Sequence, residues 1–185
     1  MISDDPDFAD MMCALPKRGP CVRSQYLDRV YDPDKYGETI TRMAAYLGQL
    51  ADAHEINGIA FRGSSGAAVA FPCAFWCKLP MLHVHKQHTS HCAYLVEGDY
   101  RITRLAIVDD FVCAGETLRT ITEEINEAYD QRGLVWPSFP HVVLYAQKEM
   151  EKVDANLETY VLRAQNASPN LRGARVWNVY RDLGQ

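Results

Sequence analysis

Asp109 and Asp110 are adjacent carboxylates that follow the short apolar run Leu105 to Val108, and Gly115 and Thr117 come soon after them. An apolar, β-branched run of that length reads as a buried parallel strand, so the acidic pair stands at a strand end. Leu118, Ile121, Ile125 and Ala128 then recur at helical spacing, which starts a helix near Gly115. Backbone N–H groups at a helix start, together with the Thr117 hydroxyl, suit an anion such as a phosphate. Two carboxylates beside a phosphate repel it unless something stands between them. A ribose 5-phosphate resolves that conflict, because its 2- and 3-hydroxyls donate to the carboxylates while its phosphate takes the amides. The plain alternative is a strand-to-helix turn with two solvated aspartates.

A second group of residues offers related chemistry. Asn57 to Phe61 reads as a strand, followed by the loop Arg62-Gly63-Ser64-Ser65-Gly66 and a helical run from Ala67 to Phe71. Backbone amides of such a loop approach an anion closely, and Arg62 adds charge. Lys86 follows another strand, Leu79 to His85, and can meet a pyrophosphate oxygen as a point charge.

The stretch 104–120 resembles the PRPP-binding signature of the type I phosphoribosyltransferases: four apolar residues, two acidic, two apolar, then a small-residue loop ending in Thr or Ser. The resemblance implies that Asp109 and Asp110 bind the ribose hydroxyls and that Cys113, Ala114, Gly115, Glu116 and Thr117 bind the 5-phosphate. Cys113 and Ala114 stand where that family usually has Thr or Ser. Gly58 to Gly66 is similar to the family's pyrophosphate loop, which assigns Arg62, Gly63, Ser64 and Ser65 to that group. His85-Lys86 takes the place of a basic pair, and residues 87–100, with His91, take the place of a mobile loop. The resemblance covers roughly residues 17 to 150. It implies a pentosyltransferase that moves 5-phosphoribosyl from PRPP to a nucleobase nitrogen and releases pyrophosphate. Asp109, Asp110, Lys86 and His91 would be the catalytic residues, Mg²⁺ would bridge PRPP oxygens, and the protein would be a homodimer.

The base is read from the chain ends. Lys17-Arg18-Gly19 with Ser24-Gln25-Tyr26 resembles the N-terminal pattern of orotate phosphoribosyltransferases, which puts orotate or another pyrimidine first. Tyr145 to Lys148, with Trp177, resembles the base pocket of the 6-oxopurine enzymes. Thr89 stands roughly where the orotate enzymes have a catalytic lysine, which keeps an inactive PRPP- or nucleotide-binding relative in view. Cys113, at a phosphate-binding helix start, is expected to be a reactive thiol that ligand protects.

Metal ligands are present too: His83, His85, His88, His91 and Cys92, with Cys73 and Cys77 upstream. The competing expectation is buried thiols and loop histidines with no protein-held metal.

These residues need a scaffold. A chain of 185 residues fits one domain with a sizeable core. A net charge of −5 argues against nucleic acid as the main partner. No apolar run approaches the ~20 residues of a membrane span, and the acidic N-terminus lacks a signal-peptide core. Six cysteines without a secretory signal read as reduced thiols, which points to the cytoplasm. Ile40, Met43, Ala44, Leu47, Leu50 and Ala51 form one face of an amphipathic helix. Asp32-Pro33-Asp34 reads as a turn, Val22 to Val30 as holding a strand, and Pro72 as a kink or a new helix start. Trp136, Pro137 and Pro140 read as a turn before a strand over His141 to Ala146. A further strand is expected near Thr159 to Leu162. The alternation predicts an α/β fold of the type I phosphoribosyltransferase kind. It has a central, mostly parallel sheet flanked by helices (about 36–150) and a small hood from about 1–35 and 151–185. The ligand is expected beyond the carboxyl ends of the strands.

Overall fold

The computed structural model describes residues 27, 29–86, 94–110, 115–145, 162–163 and 165–180. Helix α1 runs Pro33–Asp52. Asp32, read above as part of a turn, is its N-cap and accepts from the Lys35 N–H, while Pro33 occupies the first turn, where its missing N–H costs nothing. Ile40, Met43, Leu47 and Leu50 are buried, as the helical spacing predicts.

Strand β1 (Gly58–Arg62) leads directly into helix α2 (Gly63–Cys77). Then come β2 (Met81–Val84), β3 (Val96–Gly98), β4 (Arg104–Asp109), helix α3 (Glu116–Asp130), β5 (Ser138–Leu144), a 3-10 turn (Pro169–Leu171) and β6 (Arg175–Asn178). The sheet order is β3-β2-β1-β4-β5-β6. All pairs are parallel except β2–β3.

Strand side chains alternate between faces, and the two faces carry separate cores. Leu105 and Ile107 pack with Leu118, Ile121 and Ile125 of α3. Ala106 and Val108 pack with Met43 and Leu47 of α1 and Val69 and Cys73 of α2. From the adjacent strands β1 and β4 the chain proceeds in opposite directions, to β2 through α2 and to β5 through α3. The seam between β1 and β4 is therefore the switch point at which open α/β sheets bind ligands.

Several sequence expectations need correction. Residues 63–66 are the first turn of α2 rather than a loop. Pro72 lies inside α2, so of its two readings, a kink or a new helix start, the new start is overturned. Its ring nitrogen cannot donate to the Ala68 carbonyl four residues back, and the Tyr36 hydroxyl of α1 donates to that carbonyl instead, at 2.5 Å. Pro140 is inside β5, at a register shift where three β5 steps match two on β4. An extra residue at a bulge tolerates proline there. Strand β3, expected as turn, pairs with β2, and Gly98 makes that possible at φ 138, since a Cβ there would collide with the Met81 carbonyl. Leu162 is helical, as are 163 and 165–167, and not part of a strand. Residues 175–178, placed in the hood, form the sixth strand. The strand expected within 22–30 falls mostly outside the described residues.

Candidate functional site

The acidic pair sits where the sequence puts it, at the carboxyl end of β4, but it is not solvated. Asp109 is 3% exposed and Asp110 8%. The Asp110 N–H donates to Asp109 Oδ1 at 3.0 Å. Burial holds the Asp109 carboxyl well above the usual carboxylate range, the Asp110 carboxyl beside it adds to that rise, and the Lys86 charge opposes it.

Lys86, at the end of β2, reaches across β1. A Cβ on Gly63 would meet Lys86 Cε at 2.7 Å and Nζ at 3.2 Å. The lysine therefore lies against the first residue of α2, whose φ is 66. That left-handed φ favours glycine there. Ser64 is exposed and Ser65 half-buried on the same turn. The first-turn N–H groups of a helix lack intrahelical acceptors, and here those of Gly63, Ser64 and Ser65 stand beside Lys86.

Gly66 lets α2 approach β4: a Cβ there would lie 3.2 Å from the Val108 carbonyl oxygen. Tyr145, just after β5, ties the two halves together. Its hydroxyl donates to the Ser65 carbonyl at 2.8 Å, and its N–H donates to the Asp110 carbonyl at 3.3 Å. Burial first, then the charges of Asp110 and Asp109, push its phenol far up, so it stays neutral. Sequence reasoning placed Tyr145 in a base pocket and missed this positioning contact. Its place one residue past a buried strand was the available signal.

Gly115 is the left-handed N-cap of α3, at φ 81. Glu116 is exposed and pairs with Arg119 at 2.6 Å, and Thr117 is half-buried in the first turn. The C-terminal segment packs over this turn, since a Cβ on Gly115 would meet Ala167 Cβ at 2.7 Å.

Arg62 departs from its expected setting beside the α2 turn. Phe61 faces the α1/α2 side and Ala60 the α3 side, so alternation turns Arg62 toward α3. There its charge partly offsets the burial and the Glu127 charge that raise Glu124. Arg62 Nε is buried with no hydrogen-bond partner among the described residues. Trp177 of β6 packs against Tyr46 of α1, ring centroids 5.2 Å apart. The half-buried indole packs there against the cluster that holds Val143 and Tyr145. Cys73 and Cys77 face α1, their thiols donating to the Ile40 and Ala44 carbonyls. Burial pushes the Cys73 thiol up to about 12. Lys17, Arg18, His91, Cys113, Ala114 and Lys148 lie outside the described residues. A groove of about 820 Å³ runs between α1 and α2, away from the strand ends.

No protein-family model matches the chain, and no curated protein matches it by sequence. Solved structures do match. Adenine phosphoribosyltransferase from Saccharomyces cerevisiae, complexed with an imino-altritol bisphosphate and adenine, superposes with a TM-score of 0.57 at 16% identity, over 90% of each chain. The chain has the type I phosphoribosyltransferase fold. Adenine phosphoribosyltransferase from Trypanosoma brucei, in complex with AMP, pyrophosphate and ribose-5-phosphate, shares the phosphoribosyltransferase fold at TM-score 0.52. Its identity is 13%, over 91% of this chain and 75% of that one. Orotate phosphoribosyltransferase from Aeropyrum pernix matches at TM-score 0.49 and 13% identity, over 82% and 73%. In this fold the residues brought together are Asp109, Asp110, Lys86, Gly63, Ser64, Ser65 and Tyr145, with the α3 start at Gly115, Glu116 and Thr117 following β4.

Proposed function

We propose that the chain is a PRPP-dependent phosphoribosyltransferase, a pentosyltransferase that moves 5-phosphoribosyl to a nucleobase nitrogen. One observation carries the reading: a buried acidic pair at the end of β4, at the switch point, with a helix N-terminus on either side of it in the chain fold. The first-turn N–H groups of α3 and the Thr117 hydroxyl take the 5-phosphate. Asp109 and Asp110 accept from the ribose hydroxyls. The α2 start and Lys86 take the diphosphate. The base nitrogen attacks C1, the C1–O bond breaks, and pyrophosphate leaves with the electron pair, while the nitrogen gives up its proton. These residues position the reactants and offset charge, the work such a displacement needs. Mg²⁺, a hard ion that takes oxygen donors and few protein ligands beside a phosphate substrate, would supply positive charge to the diphosphate. AMP, pyrophosphate and ribose-5-phosphate in the Trypanosoma brucei enzyme are ligands of the chemistry assigned here.

For the base, orotate or another pyrimidine comes first, on Lys17 and Arg18. A 6-oxopurine comes second on Lys148, weakened because Trp177 is packed against Tyr46. An inactive PRPP- or nucleotide-binding relative is the second functional class. Thr89 in the place of the loop lysine and the packing of Ala167 on Gly115 favour it. A homodimer belongs to the proposal, and the exposed Phe75 and Trp76 of α2 give it an apolar surface.

The test is pyrophosphate release from PRPP and Mg²⁺ with orotate, uracil, adenine, hypoxanthine, guanine, xanthine and nicotinate in turn. Release with one base supports the enzyme and names the base. Binding of PRPP without release with any base favours the inactive relative, and absence of both refutes the site.

A further inference from the structure

His83 and His85 lie two residues apart along β2 and its carboxyl-terminal extension, so they project from the same face of the sheet. Glu97 of the antiparallel edge strand β3 is directly opposite His83 in the register. His85 Nε2 lies 3.0 Å from Glu97 Oε2. The two imidazole rings are 4.0 Å apart at their centroids. His83 is fixed from below by Phe61, whose ring stacks on it at 4.7 Å and 14°. One ligand atom from each of His83, His85 and Glu97 lies within 4.8 Å of the others. Both histidines are half-buried and the glutamate is open to solvent, so an ion has a way in.

We propose that His83, His85 and Glu97 form a binding site for one divalent transition-metal ion of the zinc or cobalt type. The donor set is two imidazole nitrogens and one carboxylate oxygen, a set that such ions take with water in the fourth position. Donors about 2.0–2.2 Å from a tetrahedral ion stand closer together than 4.8 Å; His85 and Glu97 are already 3.0 Å apart, so binding requires both side chains to turn toward His83, which its stacking on Phe61 holds in place. Of the thiols considered in the sequence, Cys73 and Cys77 point to α1, and Cys92 lies outside the described residues. The nitrogen donors also separate this site from Mg²⁺, which prefers oxygen. The ion would staple β3 to β2 one residue before Lys86. The inference stands apart from the phosphoribosyl reading and survives its failure.

The test uses the full chain without any affinity tag, reduced and freed of metal with a chelator, then titrated with Co²⁺ and with Zn²⁺. The expected result is one Co²⁺ per chain, with a d–d spectrum free of thiolate charge transfer, displaced by equimolar Zn²⁺ and not by millimolar Mg²⁺. His83→Gln/His85→Gln should weaken binding by about 100-fold or more, since loss of even an outer-shell partner costs roughly 10–100-fold. Glu97→Gln, at an exposed position, tests the site with little risk to folding and should weaken binding about 10-fold by the same measure. Absence of stoichiometric binding, a thiolate band, or unchanged affinity in Glu97→Gln would overturn the proposal. Loss of binding in His88→Gln/His91→Gln with retention in His83→Gln/His85→Gln would do so too.

Discussion

Burial and the Asp110 carboxyl beside it hold Asp109 well above the usual carboxylate range, and this makes a sign-definite prediction. A group whose folded pKa is raised gives the fold an advantage below its unfolded value, near 3.9 for Asp. That advantage is lost as pH rises through the folded value. Asp109→Asn keeps the Oδ1 acceptor for the Asp110 N–H and removes the titration. The variant should gain stability relative to the parent as pH rises from about 4 to 8, reaching ~1 kcal/mol or about 2–4 °C in Tm. Calorimetry at both pH values checks it, and a gain that shrinks with pH would contradict the burial argument. Thr117 makes a second prediction. Thr117→Val removes one donor to a charged oxygen, so affinity for ribose 5-phosphate should fall by about 10–100-fold, or ~1.5–3 kcal/mol, by isothermal titration. The acidic pair was legible in the sequence because four apolar residues before it fix a strand end. Its burial was not, because that depends on α2 and β5, which come from elsewhere in the chain.

Helix α2 shows how an element can break a local rule and keep its shape. Pro72 leaves the Ala68 carbonyl without its helical donor, and Tyr36 from α1 supplies one. Tyr36→Phe should therefore cost about 1–3 kcal/mol, the penalty for an unsatisfied buried acceptor, read from urea unfolding. In a Pro72→Ala background the restored N–H takes over and the same substitution should cost less than half as much. Equal costs in both backgrounds would mean that the hydroxyl does something else. No periodicity could have shown this, since the partner is 32 residues from Ala68. Periodicity did reveal α1 and α3, whose apolar stripes are long. It missed β3, where three residues carry no alternation. It misread Gly63 to Gly66 as loop because glycine and serine suit both a loop and the first turn of a helix.

Across the chain, the parallel sheet has its acidic pair and lysine at the carboxyl ends of the strands and a different device near its opposite end. His141, 1% exposed, bonds Glu55 at 2.8 Å, and Arg175 reaches the same carboxylate oxygen at 3.2 Å. Burial outweighs Glu55 and holds the imidazole below its usual range. A depressed folded pKa means that the unfolded chain takes up the proton first. Stability from His141 is therefore present above about 6.5 and lost as pH falls below it. His141→Gln should flatten the fall in urea midpoint between pH 7.5 and 5.5, worth ~1 kcal/mol. An unchanged slope would assign the fall to other groups. Among the described residues no helix is long and apolar enough to cross a membrane. The mostly parallel α/β sheet and a ligand site beyond the carboxyl ends of its strands were legible from the β–α alternation; the strand order, and with it the switch point, was not. The bulge at Pro140 and the strand at 175–178 were not, because a proline and a polar-flanked tetrapeptide gain strand character only from the neighbour they pair with.

The measurement that bears most directly on this reading is PRPP binding, in the presence of Mg²⁺, to the parent chain and to Asp110→Asn. Titration calorimetry should show one PRPP per chain for the parent. The variant, folded by circular dichroism, should bind at least about 10-fold more weakly, the loss of a charged hydrogen-bond acceptor. Equal affinity in both proteins, or no PRPP binding by the parent, would contradict the assignment of the β4 carboxyl end as the ribose site.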